Sequence, residues 1–196
     1  MTNFGQIQLT GKLCDLKPME LKHSNQLFGI SQDDRIWRYL SMYPKTLDEI
    51  EIFVKKGIEA RENKTSIPFV IASKIDNQIF GTSRILDLLE MHKTCEIGLT
   101  WLNPKSWGNC VNTEAHYLML KYCFEDLQLR RVQFKIDEQN IRSYKSVEKF
   151  GAIREGLLRN LRNYPNGTYN NTYIYSIINK DWEESKSKFL KLLNYE

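Results

Sequence analysis

Apolar positions recur along the chain with two periods, and the switches between them mark the elements. Leu9 to Lys17 reads as a first strand closed by Pro18, and Glu20 to Leu40 as a helical stretch broken near Ser31. Thr46 and Glu49 form a T-x-x-E capping box. Ile50, Phe53, Val54, Gly57 and Ile58 then share one face of an amphipathic helix ending near Arg61. Ile67 to Lys74 and Gln78 to Leu86 are β-type runs separated by Asp76 and Asn77, which tolerate the positive φ of a tight turn, so an antiparallel hairpin is expected. From Cys95 to Leu102 the residues alternate, with Cys95, Ile97, Leu99 and Trp101 facing one way and Glu96, Gly98 and Thr100 the other.

Asn103 to Val111 reads as a loop. Asn112 to Leu127 is a helix polar only along Glu114, Lys121, Glu125 and Gln128, so most of its surface must be covered. Arg131 to Ile136 is a strand, and Asn140 to Phe150 a helix opened by an N-cap Asn and stopped by Gly151. Strand, helix, strand, helix implies a parallel pairing here. Ile153 to Arg162 and Tyr169 to Ile178 flank the turn Pro165-Asn166-Gly167 as a second hairpin, and the helix from Asp181 carries Trp182, Phe189 and Leu193 on one side. With no repeat and no linker, residues 1–196 are expected to form one α+β domain whose mixed sheet is antiparallel at its start and parallel in its middle.

Composition adds exclusions. The 196 residues are 41% hydrophobic and 27% charged, ordinary values for a packed globular chain. The 28 basic and 24 acidic side chains leave +4, enough to attract an anionic ligand but too little for a polybasic patch, so direct nucleic-acid binding is not expected. No window approaches the roughly 18 apolar residues of a membrane helix. MTNFGQIQLTGK lacks the basic start and apolar run of a signal peptide. Cys14, Cys95, Cys110 and Cys123 form no CxxC, and His23, His92 and His116 share no ligand spacing; reduced thiols, a cytoplasmic location and no metal are expected. The cysteines read as small apolar fillers and the histidines as surface or capping residues.

The strand-to-helix segment from Leu102 to Thr113 is where chemistry is expected. The first amides of a helix lack internal partners, and Gly108 allows close backbone approach, with Lys105 adding a charge, so this loop suits a phosphate; an ordinary connection fits the same pattern. Gly98 inside a strand marks a bulge or the approach of another molecule. Glu96 shares its face, either as a base projecting into a cleft or as a surface or core-edge salt-bridge carboxylate. Asn140 and Ser143 could bind ligand amides and donate a proton, or could simply serve the helix terminus; Tyr144 is a second candidate donor.

These residues together resemble the GNAT superfamily of acetyl-CoA-dependent N-acetyltransferases in its RimJ/RimL-like branch, over nearly the whole chain. The resemblance is carried by Glu96-Ile97-Gly98, by Trp101 through Cys110, by Asn112-Thr113-Glu114-Ala115, by Asn140-Ile141-Arg142-Ser143 and by Glu148 through Ala152. It implies a mixed central sheet with a splayed parallel pair and helices on both faces. It also implies acetyl-CoA as cosubstrate, held by Leu99, Trp101, Lys105, Trp107, Gly108, Asn109, Cys110, Val111, Asn112, Thr113, Asn140 and Ser143. Lys105, Gly108 and Cys110 stand where the family loop reads Q/R-x-x-G-x-G/A, and Cys110 adds bulk there. Val147 stands where many members place a tyrosine donor.

The N-x-x-S pattern implies Ser143 as the donor to the departing thiolate, and Glu96 as the group that receives a proton from the amine. The implied reaction is direct attack of a neutral amine on the thioester. An α-amine titrates at about 8 and a lysine at about 10.4, so an α-amine needs only a modest base. A protein N-terminus is the family-typical acceptor, with polyamines or aminoglycosides as alternatives. Fold analogy puts Trp37, Tyr39, Glu96 and Tyr164 around the acceptor, in a monomer or homodimer. A non-catalytic acyl-CoA-binding protein is a competing reading, motivated by Cys110 and Val147. An RNA-associated module is another, suggested by Tyr164, Tyr169, Tyr173 and Tyr175, though cross-strand packing explains those tyrosines.

Overall fold

A computed structural model describes residues 7–195; residues 1–6, much of the stretch read for a signal peptide, and Glu196 lie outside the described residues. The expected first strand is two, β1 (Leu9–Thr10) and β2 (Cys14–Pro18), because the chain turns sharply between them toward one carboxylate. Glu114 accepts from the backbone N–H groups of Lys12, Leu13 and Cys14 at 2.6, 2.8 and 2.7 Å, and the Tyr195 hydroxyl donates to it as well. Glu114 is therefore fully buried and leaves the solvent stripe that the helical spacing predicts for it.

α1 (Ser24–Ile30) ends at Ser31, where the pattern breaks, and α2 (Leu47–Glu62) opens with the capping box: Thr46 Oγ1 accepts from Glu49 N at 3.2 Å, and Glu49 Oε2 from Thr46 N at 3.1 Å. The hairpin of β3 (Ser66–Ser73) and β4 (Ile79–Leu89) turns through Asn77 at φ +60°. Then follow β5 (Thr94–Leu102), α3 (Val111–Lys121) with a π-helical turn at Tyr122–Asp126, and β6 (Arg131–Asp137). α4 (Ile141–Lys149), β7 (Ile153–Asn163), β8 (Tyr169–Ile178) and α5 (Trp182–Leu193) complete the chain. The strands form one sheet in the order β1-β2-β3-β4-β5-β6-β8-β7, antiparallel at every junction except β5 with β6. This is the expected α+β architecture.

Burial on both sheet faces makes two cores. One, built on Phe69, Ile85, Ile97, Phe134 and Ile177, lies under α3, α4 and α5, where the Phe150 and Phe189 rings stack at 4.4 Å. The other holds Leu27, Ile50, Phe53, Val54 and Val70 under α1 and α2. Trp101 belongs to this second core, opposite Cys95 and Ile97, which overturns the simple alternation. The cause is a bulge: β4 Thr82 pairs with Trp101 and Arg84 with Gly98, so Leu99 and Thr100 together oppose Ser83 and the side-chain parity restarts. Leu99 takes φ +49°, a conformation that costs a bulky residue about 1–3 kcal/mol and persists only where its surroundings impose it.

The surface-or-capping reading holds for His23, whose Nδ1 accepts from Glu20 N at 3.1 Å, and for exposed His92. It fails for His116, which α3 carries into the core against Phe134 and Phe150. The small-filler reading of the cysteines holds for Cys14, Cys95 and Cys123, but Cys110 is exposed.

Replacing Glu114 with Ala strands three backbone donors at once. The expected loss is about 3–5 kcal/mol in urea unfolding with an unchanged m value; a loss under about 1 kcal/mol would contradict the role of this carboxylate. Burial pushes the His116 imidazole below its ordinary value of 6.5, offset in part by its contact with the Asn112 carbonyl. As the pH falls below 6.5 the unfolded chain takes up the proton first, so the stability tied to neutral His116 is full above 6.5 and declines below it. Urea midpoints of His116→Phe should fall less steeply than those of the native chain between about pH 7 and pH 5; parallel profiles would count against this.

Candidate functional site

β5 and β6 pair only at Thr94 with Arg131, Cys95 with Val132 and Glu96 with Gln133. Beyond these three pairs the strands diverge, so the β5 backbone from Ile97 onward has no ladder partner on its β6 side. The bulge at Leu99 falls in this opened stretch, one residue after the glycine that signals it in the sequence.

The chain leaving β5 builds a cradle. Asn103 Oδ1 accepts from Lys105 N at 3.0 Å and starts a short 3-10 turn, Pro104–Ser106. The Trp107 indole N–H then returns to the Leu102 carbonyl at 3.0 Å. Gly108 turns the chain at φ +78°, where a Cβ would meet no atom within 4 Å but would strain the backbone. Asn109 Oδ1 takes up the Val111 N–H at 3.1 Å and α3 begins. The N–H groups of Gly108, Asn109, Cys110, Asn112 and Thr113 have no partner among the described residues. A row of free amides at the start of an 11-residue helix, with open space before it, fits a phosphate group. Lys105 is exposed beside them. The Cys110 thiol turns toward the Leu192 carbonyl of α5, 3.7 Å away.

Glu96 is buried at the fork of the splay, and its Oε2 lies 2.6 Å from Lys135 Nζ of β6, off the direction of a hydrogen bond. Lys135 also lies 3.7 Å from Asp87. The carboxylate thus sits at the fork as the core-edge salt bridge that was one of the two readings left open by the sequence. Gly98 keeps the space beside it clear, since a Cβ there would come within 3.0 Å of Glu96 Oε1. Across the fork, Asn140 Oδ1 caps α4 by accepting from Ser143 N at 3.2 Å, and the Ser143 hydroxyl has no hydrogen-bond partner among the described residues. Tyr144 packs edge-on against Tyr173, and Val147 is buried in the core.

The four residues expected around the acceptor are not equivalent. Trp37 is buried, its ring 5.1 Å from Trp101 and its N–H on the Ser31 carbonyl at 2.8 Å, so it forms the wall behind the α1–α2 connection. Tyr39 is half-buried, with its carbonyl 3.5 Å from the Tyr164 hydroxyl. Tyr164 donates to Asp137, the last residue of β6, which also accepts from Asn170 Nδ2 at 3.0 Å and Gln139 N at 2.8 Å. Burial and the Asp137 carboxylate push the Tyr164 phenol well above its ordinary value, so it stays protonated as a donor.

Sequence reasoning missed Lys135, Asp137 and Arg84. The first two become visible only through the β5–β6 and β6–β8 registers. Arg84 is buried against Phe53, donating to its carbonyl at 3.0 Å, and burial lowers its guanidinium to about 10. Among the described residues no group of three or more His, Cys, Asp or Glu could hold a metal, and no helix is long and apolar enough to cross a membrane.

Comparison with known proteins gives this geometry a context. The model of the family described as Acetyltransferase (GNAT) domain matches residues 15–153. N-acetyltransferase p20 of Bacillus licheniformis is 25% identical over 172 residues, covering 85% of this chain and 93% of its own. YdaF of Bacillus subtilis, named as a candidate ribosomal N-acetyltransferase, is 29% identical over 111 residues, 57% of this chain and 60% of its own. A crystal structure of a candidate acetyltransferase from T. thermophilus superposes with a TM-score of 0.88 at 29% identity, covering 98% of this chain and 100% of that one. The family match spans the splayed strands, the amide cradle and α4, and the chain belongs to the GNAT acetyltransferase family, whose members draw on acetyl-CoA.

Proposed function

We propose that this enzyme acetylates the α-amino group of a protein N-terminus, as a RimJ/RimL-like member of its family acting in the cytoplasm. The observation that carries the reading is the coincidence of a fork between parallel strands with a row of free amides at the loop leaving it. In this reading the N–H groups of Gly108, Asn109, Cys110, Asn112 and Thr113 bind the diphosphate of acetyl-CoA, with Lys105 and Trp107 beside them. The β5 backbone from Leu99 to Trp101, with Asn140, lines the arm that enters the fork. The bound thioester supplies the electrophilic carbonyl.

Glu96 receives the proton of the attacking amine, directly or through water. Its Oε1, beside Gly98, has no hydrogen-bond partner among the described residues and is the oxygen free for that purpose, whereas Oε2 is held 2.6 Å from Lys135. An unpaired backbone N–H of β5 in the fork stabilises the developing oxyanion. Ser143, whose hydroxyl is uncommitted, donates a hydrogen bond to the departing thiolate and passes it a proton while taking one from solvent in return; a thiol that titrates at about 8.5 leaves readily as the thiolate. A ribosomal protein is the proposed acceptor class, supported by the name of YdaF.

Glu96→Gln should lower kcat/KM with an N-terminal peptide by about 10²-fold at pH 7. The deficit should shrink as the pH passes about 8, where the neutral α-amine is already abundant. Ser143→Ala should leave acetyl-CoA affinity intact and slow thiol release. Unchanged rates in both variants would remove the two residues from the mechanism. Gly108→Val should weaken acetyl-CoA binding by about tenfold or more, because the left-handed backbone at this position costs about 1–2 kcal/mol in any other residue. An unaltered calorimetric titration would dissociate the cradle from the cofactor.

A further inference from the structure

Two segments that are distant in sequence from each other and from Trp107 converge on its indole. From α4, the Arg142 guanidinium lies on the ring with its Cζ 3.4 Å from the centroid. From the α1–α2 connection, Arg35 approaches the same ring to 5.5 Å. Arg38 in that connection lies over the Tyr39 ring at 5.4 Å. All three arginines reach solvent.

The carboxylates of this connection are already committed. Asp33 accepts from Arg35 Nε and Nη2 at 2.9 and 2.7 Å, and Asp34 accepts from the Tyr43 hydroxyl. Arg38 and Arg142 have no carboxylate partner among the described residues. Burial holds the Arg142 guanidinium below its ordinary value; Tyr39 opposes this, and the Arg35 charge adds a smaller effect in the same direction as burial. Arg35 already has its counter-ion in Asp33, whereas Arg38 and Arg142 rest on aromatic rings as cations without one, and that arrangement gains from a bound anion.

The cluster takes in Tyr39, one of the residues expected around the acceptor. Tyr164 ties the connection, through the Tyr39 carbonyl, to Asp137 at the end of β6. Trp107 packs against both cores, so the cluster lies between the α1–α2 side of the sheet and the loop that carries the free amides.

We propose that Arg38 and Arg142 select acceptors that carry a carboxylate close to the amine, namely N-termini with Asp or Glu among their first residues. This rests on the proposed acetylation of protein N-termini and narrows it to an acidic class. Arginine suits the task because its planar fork pairs bidentately with carboxylate.

The test uses matched peptides that start with the same residue and continue either with Asp and Glu or with Asn and Gln. A matched pair of small primary amines, with and without a carboxylate, runs alongside. The native enzyme should favour the acidic peptide by about tenfold or more in kcat/KM at low salt, and the preference should shrink as salt screens the charges. Arg38→Gln and Arg142→Gln should each lower that preference through KM while leaving calorimetric acetyl-CoA affinity within about twofold.

Equal kcat/KM for both members of each pair, preference for a polycationic amine, or a loss of acetyl-CoA affinity in Arg142→Gln as large as the loss for the peptide would each overturn the proposal. The last outcome would assign Arg142 to the phosphates of the cofactor. Turnover of small amines alone, with the carboxylate preference intact, would remove the protein N-terminus and keep the arginine cluster.

Discussion

A parallel ladder that ends after three residue pairs leaves two strands whose inner backbone edges must find other partners. That constraint organises the molecule. The interruption is built from both sides: β5 is bent by the bulge at Leu99 and Thr100, and β6 is held by β8 along its opposite edge from Arg131 to Asp137. Leu99 pays for the bend in backbone strain, and the packing of Trp101 into the second core helps hold it there. Without the parity change that the bulge introduces, Trp101 would point under α3 and displace the packing of Leu102 and Ile97.

The consequences for chemistry come from what surrounds the opening. Glu96 and Lys135 stand at its apex, the free amides of the β5–α3 loop at one mouth, and the α1–α2 connection at the other. The cradle is rigid for local reasons: Asn103 and Asn109 use their side chains as turn makers, and Trp107 latches back to Leu102. A ligand bound there meets amides that are already aimed, so little ordering cost is left for the binding step.

Much of the fold was legible because local signals agreed with one another. The Thr46–Glu49 box, the Asn77 turn, the Asn140 cap and the apolar stripe of α5 each predict the element observed. Glu96, Gly108, Asn140 and Ser143 could be singled out because their signals lie in strand alternation and helix termini. What stayed hidden depends on contacts between distant segments. Glu114 looks like one residue of a solvent stripe until the turn after β1 arrives beside it, and His116 looks exposed until Phe134 and Phe150 cover it. Lys135 and Asp137 belong to a strand whose neighbours no local pattern names, and nothing about Leu99 announces a left-handed backbone.

The Glu114 clasp joins groups separated by 100 to 102 positions on one side and by 81 on the other, on the same helix whose first amides form the cradle. Each of these bonds closes a long loop, an entropic cost that the packing of α3 against both flanks must offset. The N-terminal end of α3 is therefore held in its final orientation only after both flanks of the chain have docked. Nucleotide affinity then becomes a reporter of completed assembly.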